Sequence, residues 1–475
     1  MKLAIATFIS ITACVTLNLP FAGASESCPP GFKYDPSMKM CMETKAQSHK
    51  TGTCPEGEHP DPQMGGMCMP VGTGKYNLLM HASQYLIGIS ESGPRGRMAI
   101  SSPDMFTVEF EKRISVCDQI KVTYMGSFDK WLTPSKGTPE LLQVGEANLK
   151  GDPYIDAQHP HTSPVMGLTF AKVHCLGKDG KKTLTLFFAP RGEATAGPAS
   201  YMHRLSSDGN PITPLGHHLE DVFHIMSTVL GAKLQTGKWT IEGSIFNGTE
   251  PSPADVNLTM GKFDSAGLRI QHQMSKNVTV GASVASVLES ERIPGPNGPV
   301  FQTPHREMAV ATWVVTQNEI KGGILDSTLM WGQATDQGKR LNAFLTEFAY
   351  TMQKNQVFGR VEVLQRSADQ LQINVVGPSQ DIQWIKSLTI GYNREIRKST
   401  DYTLYAGGSV SQAFLPTAFK ASYGGNPTTA EVHLRILFKK NKSWGTAPSD
   451  PGTEPGKEPG GTSEPGTAKR VGTEP

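Results

Sequence analysis

Seven of the chain's thirteen histidines fall between residues 159 and 224. Imidazole can hold a transition metal, move a proton or anchor a hydrogen bond, so such a cluster is where chemistry would be sought first. Two groups stand out: His159-Pro160-His161, just after Asp156, and His217, His218, Asp221 and His224, with His203 earlier. Imidazole with carboxylate suits Zn, Cu or Ni, but the spacing matches none of the established zinc patterns. The first reading is therefore mechanical: these side chains bond one another and Arg191, Arg204 or Glu193 to pin a loop. The second is a metal site for copper or zinc drawn from His159, His161, His203, His217, His218, Asp221 and His224.

A second set of candidate ligands lies at the front. Residues 28–42 read CPPGFKYDPSMKMCM and residues 54–69 read CPEGEHPDPQMGGMCM, an internal repeat with one inserted residue. In an exported chain such pairs read first as disulfides, Cys28 with Cys41 and Cys54 with Cys68, stapling loops too small to hold a core. The methionines crowding them (Met38, Met40, Met42, Met64, Met67, Met69) keep Cu(I) capture as the alternative, since soft sulfur ligands favour that ion. Cys117 and Cys175 fall at two short turns on one side of the topology derived below, which makes a third bridge plausible. Sequence alone does not establish the pairing.

Catalytic patterns are not found. The chain has no Gly-x-Ser-x-Gly elbow, His-Glu-x-x-His, phosphate loop or dinucleotide fingerprint. No nucleophile can be nominated, and a non-enzyme is expected.

The elements that would position these residues follow from the ends inward. A lysine at position 2, an apolar run from Leu3 to Phe21 and the small residues Ala22-Gly23-Ala24 make a secretory signal peptide over 1–24. Beyond it no window approaches the roughly 20 apolar residues that a spanning helix needs. With 45 basic and 43 acidic residues, dispersed along the chain, nothing points to a nucleic-acid partner. Residues 445–475 are Gly, Pro, Thr, Glu and Ser, with Glu-Pro-Gly at 454, 458 and 464, a composition that cannot bury a core.

Between Asn77 and Phe438 apolar residues recur at alternate positions. Examples are Phe106, Val108, Phe110; Leu184, Leu186, Phe188; Ala309, Ala311, Trp313, Val315; and Ala430, Val432, Leu434, Ile436, Phe438. Short connections, near 117–119, 176–182, 235–237, 275–277, 319–322, 353–356 and 397–400, alternate with long ones near 90–103, 129–164, 189–221, 248–263, 289–304, 332–340, 367–381 and 414–428. Seven short and eight long connections imply about sixteen strands. An antiparallel up-and-down transmembrane β-barrel with short periplasmic turns and longer outer loops predicts this alternation, whereas a soluble sandwich or propeller does not. Trp131, Trp239, Trp331, Trp384, Tyr350, Tyr392 and Tyr402 are candidates for its interfacial girdles.

The expected organisation is a signal peptide over 1–24, a periplasmic Cys/Met-rich segment over 25–75, an all-β outer-membrane barrel over 76–438 and a disordered periplasmic tail over 439–475. The chain resembles a family of bacterial outer-membrane β-barrels of unassigned activity, grouped loosely with porins and sometimes found with metal-resistance functions. The resemblance rests on DAQHPHTSP at 156–164, FFAPRGE at 187–193, YMHR at 201–204, GHHLEDVFHI at 216–225, FNGTEP at 246–251 and YGGNP at 423–427. It departs at the front, where relatives tend to be rich in His and Met rather than to carry two cysteine loops. The resemblance implies a bacterial outer-membrane location, lipid around the barrel, small solutes or ions as partners and a homo-oligomer as one arrangement; the tail's partner is unknown. Passage of small solutes is the expected function, with metal handling through the histidine cluster or the Met-rich repeats as the alternative.

Overall fold

The computed structural model describes residues 74–446 except 116, 149–151, 178–181, 222–224, 252, 254–255, 290–291, 294–299, 302–304, 337–338 and 376–380. It also describes the backbone of four short strands at 32–35, 40–43, 58–61 and 67–70. The signal peptide, most of the tail and the proposed Cys28–Cys41 and Cys54–Cys68 bridges lie outside the residues so described. The chain divides into two compact units, residues 1–50 and 51–475. Each half of the front repeat makes one antiparallel hairpin. Phe32–Asp35 pairs with Met40–Glu43 in the first unit, and Glu58–Asp61 pairs with Met67–Pro70 in the second.

The second unit is dominated by a closed antiparallel barrel of sixteen strands. In chain order these are β1 Tyr76–Glu91, β2 Met98–Ser101 continued by Asp104–Arg113, β3 Gln119–Gly126, β4 Val165–Cys175, β5 Lys182–Gly192 and β6 Met226–Thr236. Then come β7 Trp239–Asn247, β8 Ser265–Ser275, β9 Val278–Glu289, β10 His305–Ile320 and β11 Gly323–Asp336. The last are β12 Lys339–Met352, β13 Asn355–Ser367, β14 Ile382–Lys398, β15 Tyr402–Phe414 and β16 Thr428–Trp444. Every neighbour is the next strand in sequence, and β16 closes on β1 from Trp444↔Tyr76 to Thr429↔Glu91. Closure leaves no edge strand, which lets a sheet sit in lipid with every backbone group paired. The break in β2 falls at Pro103, which has no N–H to give to the ladder; its carbonyl still accepts from Tyr85 N at 3.0 Å.

The turns at one end are tight for a local reason. Between Ile320 and Gly323 only Lys321 and Gly322 remain, at φ of 48° and 77°. Two successive positive φ values match the twist of a two-residue hairpin, and Gly takes the second at no steric cost. At that end the Cys117–Cys175 disulfide joins two successive short turns, its Cα atoms 5.9 Å apart. The seven short connections agree with the sequence to within a few residues. Of the long ones, 332–340 is corrected: β11 runs to Asp336 and β12 begins at Lys339. Polar residues there hold the ladder (Thr335↔Arg340) where no apolar pattern marks it. The end of the barrel is corrected in the same way. The strand expected to stop at Phe438 continues to Trp444, because Lys439, Lys440, Asn441 and Lys442 keep pairing after the apolar alternation has ended.

Alternation decides which side of the wall meets which solvent. Leu186, Ile241, Leu268, Val361, Ile390, Val432 and Leu434 stand outward and exposed, the surface that a hydrocarbon layer would cover. Trp239, Tyr392 and Trp444 are exposed toward the short-turn end, and Trp384, Phe414 and Phe344 toward the other, as two aromatic girdles require. β10 breaks the pattern. Its apolar set Ala309, Ala311 and Trp313 is buried and points inward, with the Trp313 ring lying over Gly281 of β9, where a Cβ would come within 2.2 Å of it.

Candidate functional site in the barrel lumen

The inward positions of the wall carry charge. Lys121 meets Glu109 at 3.0 Å, Arg269 meets Glu242 at 3.0 Å, Arg360 meets Glu347 at 3.1 Å, and His433 meets Glu431 at 2.9 Å. All of these carboxylates are largely buried although they lie inside a barrel, because two connections fold into it. The first, between β3 and β4, carries a short helix, Asp129–Leu132, and a hairpin of Thr138–Ala147 against Pro153–Gln158. The second, between β5 and β6, carries two turns of 3-10 helix and a short helix, His217–Glu220.

These inserts share a core with the wall. Leu141, Leu142 and Val144 of the first and Leu215 and Leu219 of the second pack with Ala334, Leu341, Ala343, Leu364 and Ile385. The helix His217–Glu220 lies against β11 so closely that a Cβ on Gly332 would meet the Leu219 carbonyl oxygen at 2.1 Å. Small residues on the inner face of β10–β12, Ala309, Gly332, Ala334 and Ala343, leave room for this contact, while Ala311 and Trp313 of β10 pack on Met330 and Leu345 of the wall. Among the described residues, the inserts fill the long-loop half of the lumen, and Asp208 and Gly209 of the second reach further, to Gln356 and Asn393 near the short turn at 353–354. Toward the short-turn end inward side chains such as Gln271, Thr279, Gln317 and Tyr405 are only half-buried.

Three arginines fasten the inserts. Arg366, fully buried, donates from Nε to the Leu142 carbonyl at 3.3 Å and from Nη2 to the Leu215 carbonyl, gripping one insert with each. Arg204 donates to Glu347 Oε1 and to Asp221 Oδ2, both at 2.7 Å. Arg360 completes the network with Glu347 Oε2 at 3.1 Å, the Ile212 carbonyl at 2.8 Å and Ser207 Oγ at 3.0 Å. A buried charge is tolerable only when paired and hydrogen-bonded; Arg204 and Arg360 share the Glu347 carboxylate, and Arg366 takes the two carbonyls. Asp156 anchors the mouth: it accepts from Leu142 N at 2.8 Å, Tyr423 OH at 2.9 Å and Arg95 Nε at 2.5 Å.

The candidate histidines divide. His159, His217 and His218 converge, one ligand nitrogen from each lying within 4.8 Å of the others. His161 leaves them to pair with Asp129 at 2.7 Å. Burial opposes its protonation, but the Asp129 carboxylate outweighs that and holds its pKa above the usual value. His203 faces Glu193 at 3.5 Å. Asp221 accepts from His217 Nδ1 and from Arg204, tying the histidine pair to the arginine network. His224 lies outside the described residues. The inner hairpin contributes a buried acid that the sequence did not single out, Glu140. Burial first, and then the Glu362 carboxylate, push its pKa well above the ordinary range, as they do for Glu220. No spacing signal exists for either, since the two are brought near Glu362 only by the inward folding of the inserts.

A closed barrel with an apolar outside, aromatic ends and a charged, loop-filled inside is a porin-like β-barrel of the outer-membrane type. No helix among the described residues is long and apolar enough to cross a membrane. No protein-family model matches the chain, and no curated protein matches it. Similar solved structures include OprB of Pseudomonas putida (12% identity, TM-score 0.49, 78% of this chain and 94% of that one). They also include OmpF of Salmonella typhi in complex with daunomycin (8%, 0.46, 76% and 97%). A third is an anion-selective porin from Comamonas acidovorans (10%, 0.45, 76% and 98%).

Proposed function

We propose that this chain passes small solutes across the bacterial outer membrane through a lumen narrowed by its own two inserts. The observation that carries the reading is the closed sixteen-strand wall with polar and charged inward positions, since a barrel of this size can enclose an aqueous path. An entrance is available at the long-loop end, where a cavity of about 470 Å³ is lined by Arg95, Arg97, Lys136, Asp152, Tyr154 and Asp156 among others. At the other end the half-buried Gln271, Thr279 and Gln317 give a wetter vestibule. The full-length protein in planar bilayers should give small stepwise conductance, below that of an open barrel of equal strand number, because the inserts take up much of the bore. A protein that inserts and stays silent would overturn solute passage.

In this reading the short turns and both chain termini face the periplasm and the long connections face outward. Whole-cell labelling with a membrane-impermeant maleimide reports the orientation. Thr259→Cys, in an exposed stretch of the β7–β8 connection, should react on intact cells. Lys276→Cys, at the exposed β8–β9 turn, should react only after the outer membrane is permeabilised. The reverse result would invert the topology.

A further inference from the structure

The geometry points to a binding site for a late first-row divalent cation, assigned here to His159 of the first insert and to His217 and His218 of the second. Their ligand nitrogens already lie within 4.8 Å of one another. Tetrahedral coordination at about 2.0–2.1 Å per Zn–N bond brings nitrogens to about 3.3 Å apart, so closure needs shifts of roughly an ångström. The rings are near-neighbours, 4.8 Å between His217 and His218 centroids and 5.6 Å between His218 and His159.

Outer contacts orient two of the three ligands. His217 Nδ1 is bonded to the Asp221 carboxylate, the carboxylate–histidine arrangement that fixes the ring and strengthens it as a donor through Nε2. His159 Nδ1 meets the Pro160 carbonyl at 3.1 Å, which selects the same tautomer there. His218 is accommodated by Gly145: a Cβ at that position would stand 2.1 Å from His218 Nε2. A water-sized cavity, about 10 Å³ and bordered by Gln143, Gln158, Tyr201 and the Asp129-paired His161, lies against the three imidazoles. The site lies beside the mouth, since Tyr154 lines the entrance cavity and its ring centroid is 6.4 Å from that of His159. Imidazole donors favour Zn and Cu over hard cations, and Cu(II) binds tightest in the usual divalent order. The ion would join the two inserts, so the site adds a staple to the narrowed lumen and does not depend on solute passage.

The test uses the full-length protein in detergent, stripped with chelator and dialysed against Cu(II) or Zn(II). One tightly held ion per chain is expected, and the Cu(II) electron paramagnetic resonance spectrum should carry superhyperfine structure from three nitrogens. His159→Gln and His218→Gln should each weaken binding by at least tenfold, and Gly145→Ala should do so without removing a ligand. Heat-modifiable mobility on gels checks that each variant remains a folded barrel. His272→Gln, on β8 and away from the inserts, should bind as the parent does. Sulfur-dominated ligation, no retained ion, or retention unchanged in folded His159→Gln/His218→Gln protein would overturn the assignment.

Discussion

Excising residues 198–214 and rejoining the ends with a short Gly-Ser link raises the single-channel conductance several-fold. That stretch carries Ser207 and Ile212, held by Arg360, and Arg204, held by Glu347. Once it is gone, Glu347, Arg360 and Glu362 face water that replaces the insert, and charges that needed one another in a dry interior are solvated. The wall keeps its ladder, because no strand of the barrel falls within the excised residues. The barrel should therefore still insert, migrate as a folded species and close on itself. Planar-bilayer recording reads the effect directly. Conductance equal to that of the parent, in protein shown to be folded, would mean that the narrow point lies elsewhere.

Arg204→Ala has the largest expected effect of any single substitution. The side chain is 4% exposed and stands between Glu347 on β12 and Asp221 at the end of the short helix. Removing one member of a buried pair leaves the other charge without compensation and costs about 3–5 kcal/mol. Arg360 continues to serve Glu347, so the uncompensated charge falls mainly on Asp221 and the loss is concentrated in the second insert. Two results are expected together: a lower denaturation midpoint in detergent, and new proteolytic cuts within 193–221 while the barrel core survives. Arg204→Lys should recover only part of the loss, because a single ammonium cannot reproduce a guanidinium that reaches two carboxylates at once. Wild-type protease resistance in Arg204→Ala would show that Arg366 and the apolar core hold the insert unaided.

The excision, the Arg204 substitution and the metal site bear on the same feature. Arg366 reaches one backbone carbonyl in each insert, while His159 and His217 bring an imidazole from each. Both devices join parts of the chain that are adjacent only because they are folded inside the barrel.

The wall was legible because its signals are local. A period of two over eight or more residues marks a strand with one side in lipid, and a turn such as Lys321-Gly322 marks a hairpin without reference to anything distant. Even the Cys117–Cys175 bridge was open to sequence, since alternate turns must return to one side, although the pairing itself comes from the structure. Where apolar alternation fades the reading failed. Thr335 to Arg340 and Lys439 to Trp444 are strand in the structure, held by ladder bonds that polar residues make as well as apolar ones do.

What fills the barrel needed the fold. From sequence, Ala309, Ala311 and Trp313 had the same pattern as the outward sets on other strands, and only the closed barrel shows them turned inward, Ala309 into the core shared with the inserts and Ala311 and Trp313 onto Met330 and Leu345 of the wall. The seven candidate ligands were a cluster in sequence, but the structure sends His161 to Asp129 and His203 to Glu193, and it leaves His159, 58 positions from His217 (217 − 159), beside that residue and His218. By itself the sequence determined the strands, the turns and the side of the wall to which most residues belong, because those depend on neighbours along the chain and on the alternation of lipid and lumen. The tertiary structure alone decided that two connections enter the bore, which arginines hold them there and which histidines meet, because those contacts join residues tens to hundreds of positions apart.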